Sequence, residues 1–267
     1  MAKKTPEEVW RATLMGEVAG LRLFQQVFKK IPSEPRCKLC YAPFGRPGNL
    51  VLRVLGGKPS PMNRRLCTMC TKSAHKHPGG AEVEISALFA DVRGSTGLAE
   101  RASAGDFGQL LARFWGTAAR VVDRWDGVVD KFVGDEAVAL FIPGFAGKDH
   151  AARAVSTARD LLAETGHGDG EPWIPIGVGV HTGVSYVGFL GEGDALDFTA
   201  VGDTVNTAAR LTAAARTGEI VISAASATAA GLDTSGLEQR TLELRGREQT
   251  VEAWVQRAMS SVATTAA

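Results

Sequence analysis

The sequence predicts an α+β fold, a ferredoxin-like β-α-β-β-α-β core preceded by an amino-terminal helix and a small zinc-ribbon-like module. Three observations predict it. From residue 83 onward, apolar runs of strand length alternate with stretches of helical period. All four cysteines lie before that point, as two CxxC pairs. Residues 1–80 hold 15 Lys/Arg against 4 Asp/Glu, net +11, whereas residues 81–267 hold 15 against 25, net −10. Two chemically different parts thus share a chain whose net charge is only +1. With 45% apolar and 22% charged residues, disorder, collagen-like repeats and a disulfide-dense miniprotein are excluded as whole-chain readings. No apolar run approaches the roughly 18–20 residues of a spanning helix, and residues 1–8 lead into no apolar signal segment. A cytoplasmic protein with no membrane partner is expected.

Taken in order, residues 1–34 read as one amphipathic helix, with Val9, Trp10, Leu14, Val18, Leu21, Phe24, Val27, Phe28 and Ile31 at three- and four-residue steps and Pro32 as its end. Its stripe would dock onto another helix, in this chain or in a partner. Residues 35–80 hold Cys37, Cys40, Cys67 and Cys70, a spacing that places four thiolates around one structural Zn²⁺. The stretch 43–57 reads as turn, short strand, turn, the layout of a zinc ribbon; an iron–sulfur cluster or redox dithiols are the weaker alternatives. His75 and His77 read as solvated loop residues.

After a boundary at residues 77–80 come a strand over 83–92, a helix over about 106–125, and strands over 128–133 and 137–142 joined by Gly134-Asp135. A helix over 148–164 follows, then strands over 174–181 and 184–190 with Thr182-Gly183 as a tight hairpin. The core is expected to occupy residues 81–257, with 258–267 a flexible tail.

This order makes a spatial prediction. The first two strands of a β-α-β-β unit run parallel, so the end of the first shares a sheet edge with the hairpin after the second. Asp91 ends the first strand and Asp135 sits in that hairpin. Two converging carboxylates with few local basic partners suit a pair of hard divalent cations. Gly94-Ser95-Thr96 adds backbone amides at a helix start, a place for phosphate oxygens. Asn206 and Arg210, four apart on a helix, project from one face toward phosphoryl oxygens. Taken singly, Asp91 would be a helix cap, Asp135 a turn former, and the Asn206–Arg210 pair plain surface.

Three segments together, FADVRGST (89–96), DKFVGDEAVALF (130–141) and TAVGDTVNTAARL (199–211), resemble the class III nucleotidyl cyclases, the adenylate and guanylate cyclases. The resemblance covers residues 83 to about 256 and leaves the helix and cysteine module outside. It implies that Asp91, Asp135 and the Val92 carbonyl hold two Mg²⁺ or Mn²⁺ ions per site. It also implies that Asn206 orients the ribose and that Arg210 neutralises charge on the pentavalent phosphorus. Arg245 falls where the family has a triphosphate-binding lysine, and Arg247 could take that role instead. Lys131 matches the position that donates to adenine N1, and Thr199, often Asp in the family, the one that accepts from the 6-amino group. ATP is therefore the implied substrate, with tolerance of GTP left open because a threonine hydroxyl also donates.

The family draws its metal aspartates from one subunit and its base, ribose and transition-state residues from the other. A chain bearing both sets implies a homodimer with two interface sites. Two other readings stand beside this one: a catalytically silent nucleotide sensor, and a basic module that binds nucleic acid with the cyclase domain as effector. Aromatic residues interleaved with Lys/Arg are sparse in residues 1–80, which leaves the nucleic-acid partner unsupported. His181 reads as a packed or capping residue, and Gly177-Val178-Gly179 lacks the third glycine of a dinucleotide fingerprint.

Overall fold

The structure, a computed structural model, describes residues 5–31, 35–37, 39–50, 58–61, 66–76, 79–168, 170–192, 195–243 and 250–258. In chain order its elements are α1 (Pro6–Leu14), α2 (Ala19–Lys29), α3 (Thr68–Lys76), β1 (Gly79–Val92), α4 (Ser95–Arg101), α5 (Ala104–Arg124), β2 (Val128–Val133), β3 (Glu136–Phe141), α6 (Pro143–Ala146), α7 (His150–Glu164), β4 (Ile176–Leu190), β5 (Asp197–Val201), α8 (Asp203–Ala214), β6 (Glu219–Ser223), α9 (Ala224–Ala229), β7 (Glu238–Leu242) and β8 (Val251–Arg257). They fall into two compact units. One comprises Met1–Val83, Pro143–Gly147 and Tyr186–Val201; the other Glu84–Ile142, Lys148–Ser185 and Gly202–Ala267.

In the first unit the amino-terminal stripe forms two helices, not one. Thr5 opens α1 with a reciprocal capping box, its Oγ1 accepting from the Glu8 amide at 3.3 Å while Glu8 Oε2 accepts from the Thr5 amide at 2.7 Å. Gly16, at φ +69°, ends it: the Gly16 amide donates to the Thr13 carbonyl and the Glu17 amide to the Ala12 carbonyl, a left-handed closure that continues no helix. Apolar spacing carried across Gly16 hid this break. Trp10 and Leu14 are buried, with Trp10 against Phe189 at 5.6 Å and Phe189 against Phe198 at 5.4 Å between ring centroids. Leu23, Phe24 and Val27 of α2 are exposed. In the same unit Gly80 and Gly188 meet backbone to backbone, where a Cβ on Gly188 would stand 2.3 Å from the Gly79 carbonyl oxygen.

The cysteine module has two isolated bridges, Arg36 with Pro43 and Pro59 with Cys67, and the second CxxC runs into α3. Residues 51–57, where the ribbon strand was expected, and His77 lie outside the described residues; His75 belongs to α3, not to a loop.

The sheet path runs β2-β3-β1-β4-β6-β8-β7, with β5 paired to β4. Both β1 and β2 pair antiparallel with β3, so they run parallel to one another with β3 between them. Helices α5 and α7 pack together, tied by Trp125 Nε1 donating to Asp160 at 2.9 Å and Arg124 to Glu164 at 2.7 Å.

The expected hairpin at Thr182-Gly183 is absent, because β4 is one strand of 15 residues. Gly183 has no positive φ, which a two-residue turn would require, and the Thr182 hydroxyl is committed to Ser86 Oγ at 2.7 Å and Ser226 Oγ at 2.9 Å. His181, half-buried on the same strand, bonds Ser223 Oγ at 2.8 Å.

Candidate active site and cysteine cluster

The register of β1 with β3 sets Asp91 directly opposite Glu136, and Asp135 precedes Glu136 in the β2–β3 turn. Gly134, at φ +58°, supplies the left-handed residue that the turn needs. Three carboxylates therefore crowd one sheet edge. Burial, Asp91 and Asp135 push Glu136 up to about 7. Burial raises Asp91 as well; the Arg93 guanidinium pulls it back and the Asp135 charge pushes it up again. Acids that resist ionising beside each other mark a site suited to added positive charge.

Contrary to the expectation of few local basic partners, Arg93 is bonded to the Asp91 carboxylate through Nη2. Neither Arg93 nor Glu136 was singled out from the sequence. The signal lay in their positions, two residues after one aspartate and one after the other.

The chain turns sharply beyond Val92, which is buried, and Gly94 at φ +68° precedes α4. Ser95 and Thr96 form the first turn of α4, and no side chain caps it.

Asn206 and Arg210 lie on α8, exposed and half-buried respectively, while Thr204, Thr207, Ala208, Leu211 and Thr212 face inward at three- and four-residue steps. What seats α8 is glycine. A Cβ on Gly179 of β4 would stand 2.4 Å from the Thr212 amide nitrogen and 2.6 Å from the Ala208 carbonyl oxygen. Threonine hydroxyls then fasten the helix: Thr204 Oγ1 donates to the Val184 carbonyl at 2.7 Å, and Thr212 Oγ1 to the Phe89 carbonyl at 3.2 Å, two residues before Asp91. The glycines dismissed as a dinucleotide fingerprint thus serve helix–sheet approach.

Lys131 lies on edge strand β2, half exposed, its Nζ 3.2 Å from Asp130 Oδ2. Thr199 lies on β5 in the other unit, paired in register with Gly188. Arg245 and Arg247 lie outside the described residues.

The structure brings the four cysteines together. Their sulfurs all lie within 4.8 Å of one another, Cys40 Sγ and Cys67 Sγ being 3.7 Å apart. A tetrahedral site with zinc–sulfur bonds of about 2.3 Å has an edge of about 3.8 Å, so the donor set fits one mononuclear ion. Backbone amides support the sulfurs, Cys67 N–H donating to Cys37 Sγ at 3.3 Å and Cys70 N–H to Cys67 Sγ at 3.4 Å. Hydrogen bonds among the crowded thiols, led by Cys37, lower Cys67 and raise Cys70, as expected of sulfurs close enough to share one cation.

Residues 80–257 match the family described as the adenylate and guanylate cyclase catalytic domain. An adenylate cyclase of Anabaena cylindrica is 32% identical over 133 residues, covering 48% of this chain and 26% of that protein. The guanylyl cyclase Cya2 superposes with a TM-score of 0.58 at 26% identity, over 68% of this chain and 96% of the other. The adenylyl cyclase CyaB from P. aeruginosa does so with a TM-score of 0.57 at 26% identity, over 66% and 95%. The chain spans about a third of the length of the first curated relatives it matches. With its sheet order, its acidic edge and two-thirds of its length matched, the chain belongs to the adenylate and guanylate cyclase catalytic-domain family.

Proposed function

We propose that the protein is an adenylate cyclase, converting ATP to 3′,5′-cyclic AMP and pyrophosphate at the interface of a homodimer. The observation that carries this reading is the register that sets Asp91 beside Asp135 and Glu136 on one sheet edge. Asp91, Asp135 and the Val92 carbonyl would hold two Mg²⁺ or Mn²⁺ ions, which when bound lower the pKa of the ribose 3′-hydroxyl and neutralise the triphosphate. The amides of Gly94, Ser95 and Thr96 receive phosphate oxygens. From the partner subunit Asn206 orients the ribose, so that the 3′-oxygen lies in line with the α-phosphorus. Arg210 meets the charge that develops on the equatorial oxygens, a contact stronger in the transition state than in the ground state. Arg245 or Arg247 holds the terminal phosphates.

Lys131 donating to N1 and Thr199 accepting from the 6-amino group favour adenine. Guanine, with the opposite donor and acceptor pattern, would leave this donor and acceptor mismatched. A second reading, guanylate or dual-specificity cyclisation, is favoured by the hydroxyl at Thr199, which donates as readily as it accepts. The nucleic-acid partner of the basic segment remains a reading that no feature of the described residues favours. We divide the chain into a helical segment 1–34, a module 35–80 holding one structural Zn²⁺, a catalytic domain 81–257 and a tail 258–267, and place it in the cytoplasm. No helix among the described residues is long and apolar enough to cross a membrane.

The test is incubation of purified protein with each of the four ribonucleotides and Mg²⁺ or Mn²⁺, with products separated by chromatography. Cyclic AMP from ATP alone supports the first reading, and cyclic GMP supports the second. No cyclic product with any of the four contradicts both.

A further inference from the structure

Arg93 meets the acidic edge from the turn that follows β1. Its Nη2 donates to Oδ2 of Asp91, its Nε to the Asp91 carbonyl at 3.2 Å and its Nη1 to the Ala215 carbonyl at 3.5 Å. The backbone amide of Arg93 is fixed separately, to the Pro175 carbonyl at 2.8 Å. Ala215 is the residue that closes α8. One guanidinium therefore links the Asp91 carboxylate to the carboxyl end of the helix bearing Asn206 and Arg210, where a cation also meets the negative end of the helix dipole. The pair is well sheltered, with the arginine side chain 20% exposed and the aspartate 28%.

A guanidinium on a carboxylate is a strong charge-assisted pair, and it uses lone pairs that a hard divalent cation also uses. Asp91 would need both of its carboxylate oxygens to serve two cations, so an oxygen held by a guanidinium is contested. Arg93 contacts Oδ2 of Asp91 and not Oδ1.

We propose that Arg93 is a positioning residue that competes with a divalent cation for Oδ2 of Asp91, so that entry of the second cation and release of the guanidinium are one event. This rests on the reading of Asp91 and Asp135 as metal ligands. Arg93 would stay on Oδ2 while Asp91 holds a single cation and would let go of it when the site is fully loaded, giving up with it the link to the Ala215 carbonyl at the end of α8. Loading of the metals and the seating of the helix that carries Asn206 and Arg210 are thereby coupled through a single side chain.

The test is a Mn²⁺ titration of the full chain without nucleotide, with free Mn²⁺ read by electron paramagnetic resonance. The chains compared are wild type, Arg93→Ala, Arg93→Lys and Asp135→Ala, each also melted in EDTA and in saturating Mn²⁺. Arg93→Ala is expected to bind the weaker-held Mn²⁺ about tenfold tighter or more, the worth of one charge-assisted hydrogen bond. It should also melt lower than wild type in EDTA and gain more from Mn²⁺, as ligand linkage requires. Arg93→Lys keeps the charge but loses the fork to Ala215, and should fall between the two. It stands in if the alanine variant does not fold. A purely structural Arg93 would weaken Mn²⁺ binding when removed, so a dissociation constant equal to wild type or weaker in the replaced chain overturns the proposal. If Asp135→Ala leaves Mn²⁺ binding unchanged, the metal-ligand reading fails instead.

Discussion

Gly179→Ala adds one methyl group at the place where α8 rests on β4. The new Cβ would stand 2.4 Å from both the amide nitrogen and the Oγ1 of Thr212, and 2.6 Å from the Ala208 carbonyl oxygen. Ordinary contact begins near 3.4 Å, so helix and strand must part by about 1 Å, and two of the three obstructing atoms are backbone that no rotamer can move. Overpacking of this kind costs about 1–3 kcal/mol. Catalysis should suffer more than stability, because α8 carries Asn206 and Arg210, and a misplacement of about 1 Å costs roughly a hundredfold in rate. The assay pairs thermal denaturation with cyclase turnover at saturating nucleotide. A lower melting temperature with turnover reduced about a hundredfold is expected. Wild-type melting would refute the packing argument, while reduced stability with full turnover would refute the placing of Asn206 and Arg210 at the reacting phosphate.

Further outcomes follow from other contacts. Glu219, 4% exposed, takes two hydrogen bonds from Arg240 at 2.8 and 2.9 Å and lies 3.2 Å from Arg257. Burial raises its pKa, but Arg240, the Arg216 amide and Arg257 outweigh that and hold it at about 2, against 4.5 unperturbed. A depressed carboxylate stabilises the fold above its unfolded pKa. Its contribution of about 3 kcal/mol is therefore complete at pH 7 and lost as pH falls from about 4.5 through 2. Urea denaturation should show wild type exceeding Glu219→Gln by roughly that amount at pH 7, with the gap closing below pH 4; a gap independent of pH would contradict this. Gly188→Ala would drive a Cβ to 2.3 Å from the Gly79 carbonyl oxygen and 2.4 Å from the Gly80 Cα, so a destabilisation of about 2 kcal/mol or more is expected in the same experiment. Native mass spectrometry should find one zinc per chain and none in Cys67→Ser, and iron with inorganic sulfide in its place would exclude the mononuclear site.

Much of the candidate site is legible in the sequence because it depends on topology more than on side-chain detail. Once Asp91 ends the first strand and Asp135 turns the hairpin after the second, antiparallel pairing of both strands with β3 forces them to one edge. The pairing of Arg93 with Asp91 is less legible, since a basic residue two positions along a strand end points anywhere until Gly94 turns the chain. Thr182-Gly183 has the composition of a turn, yet composition cannot see that Ser86 and Ser226 claim the threonine hydroxyl across neighbouring elements. At Gly16 the apolar period of the amino-terminal stripe continues into Val18 and Leu21, so periodicity hides a break that only the backbone conformation reveals. In the same way Gly177 and Gly179 could be excluded as a nucleotide fingerprint, but the helix they admit lies some 30 residues further along the chain.

The measurement that bears most directly on the account is subunit complementation. On the proposed assignment Asp91→Ala would remove the metal side of each site and Arg210→Ala the transition-state side, so each variant alone should be inactive. Co-refolded in equal amounts, the two chains should form mixed dimers with one site intact, restoring about a quarter of wild-type cyclic AMP production if pairing is random. Two folded, dimeric variants whose mixture stays at the level of either alone would contradict a site assembled from both subunits.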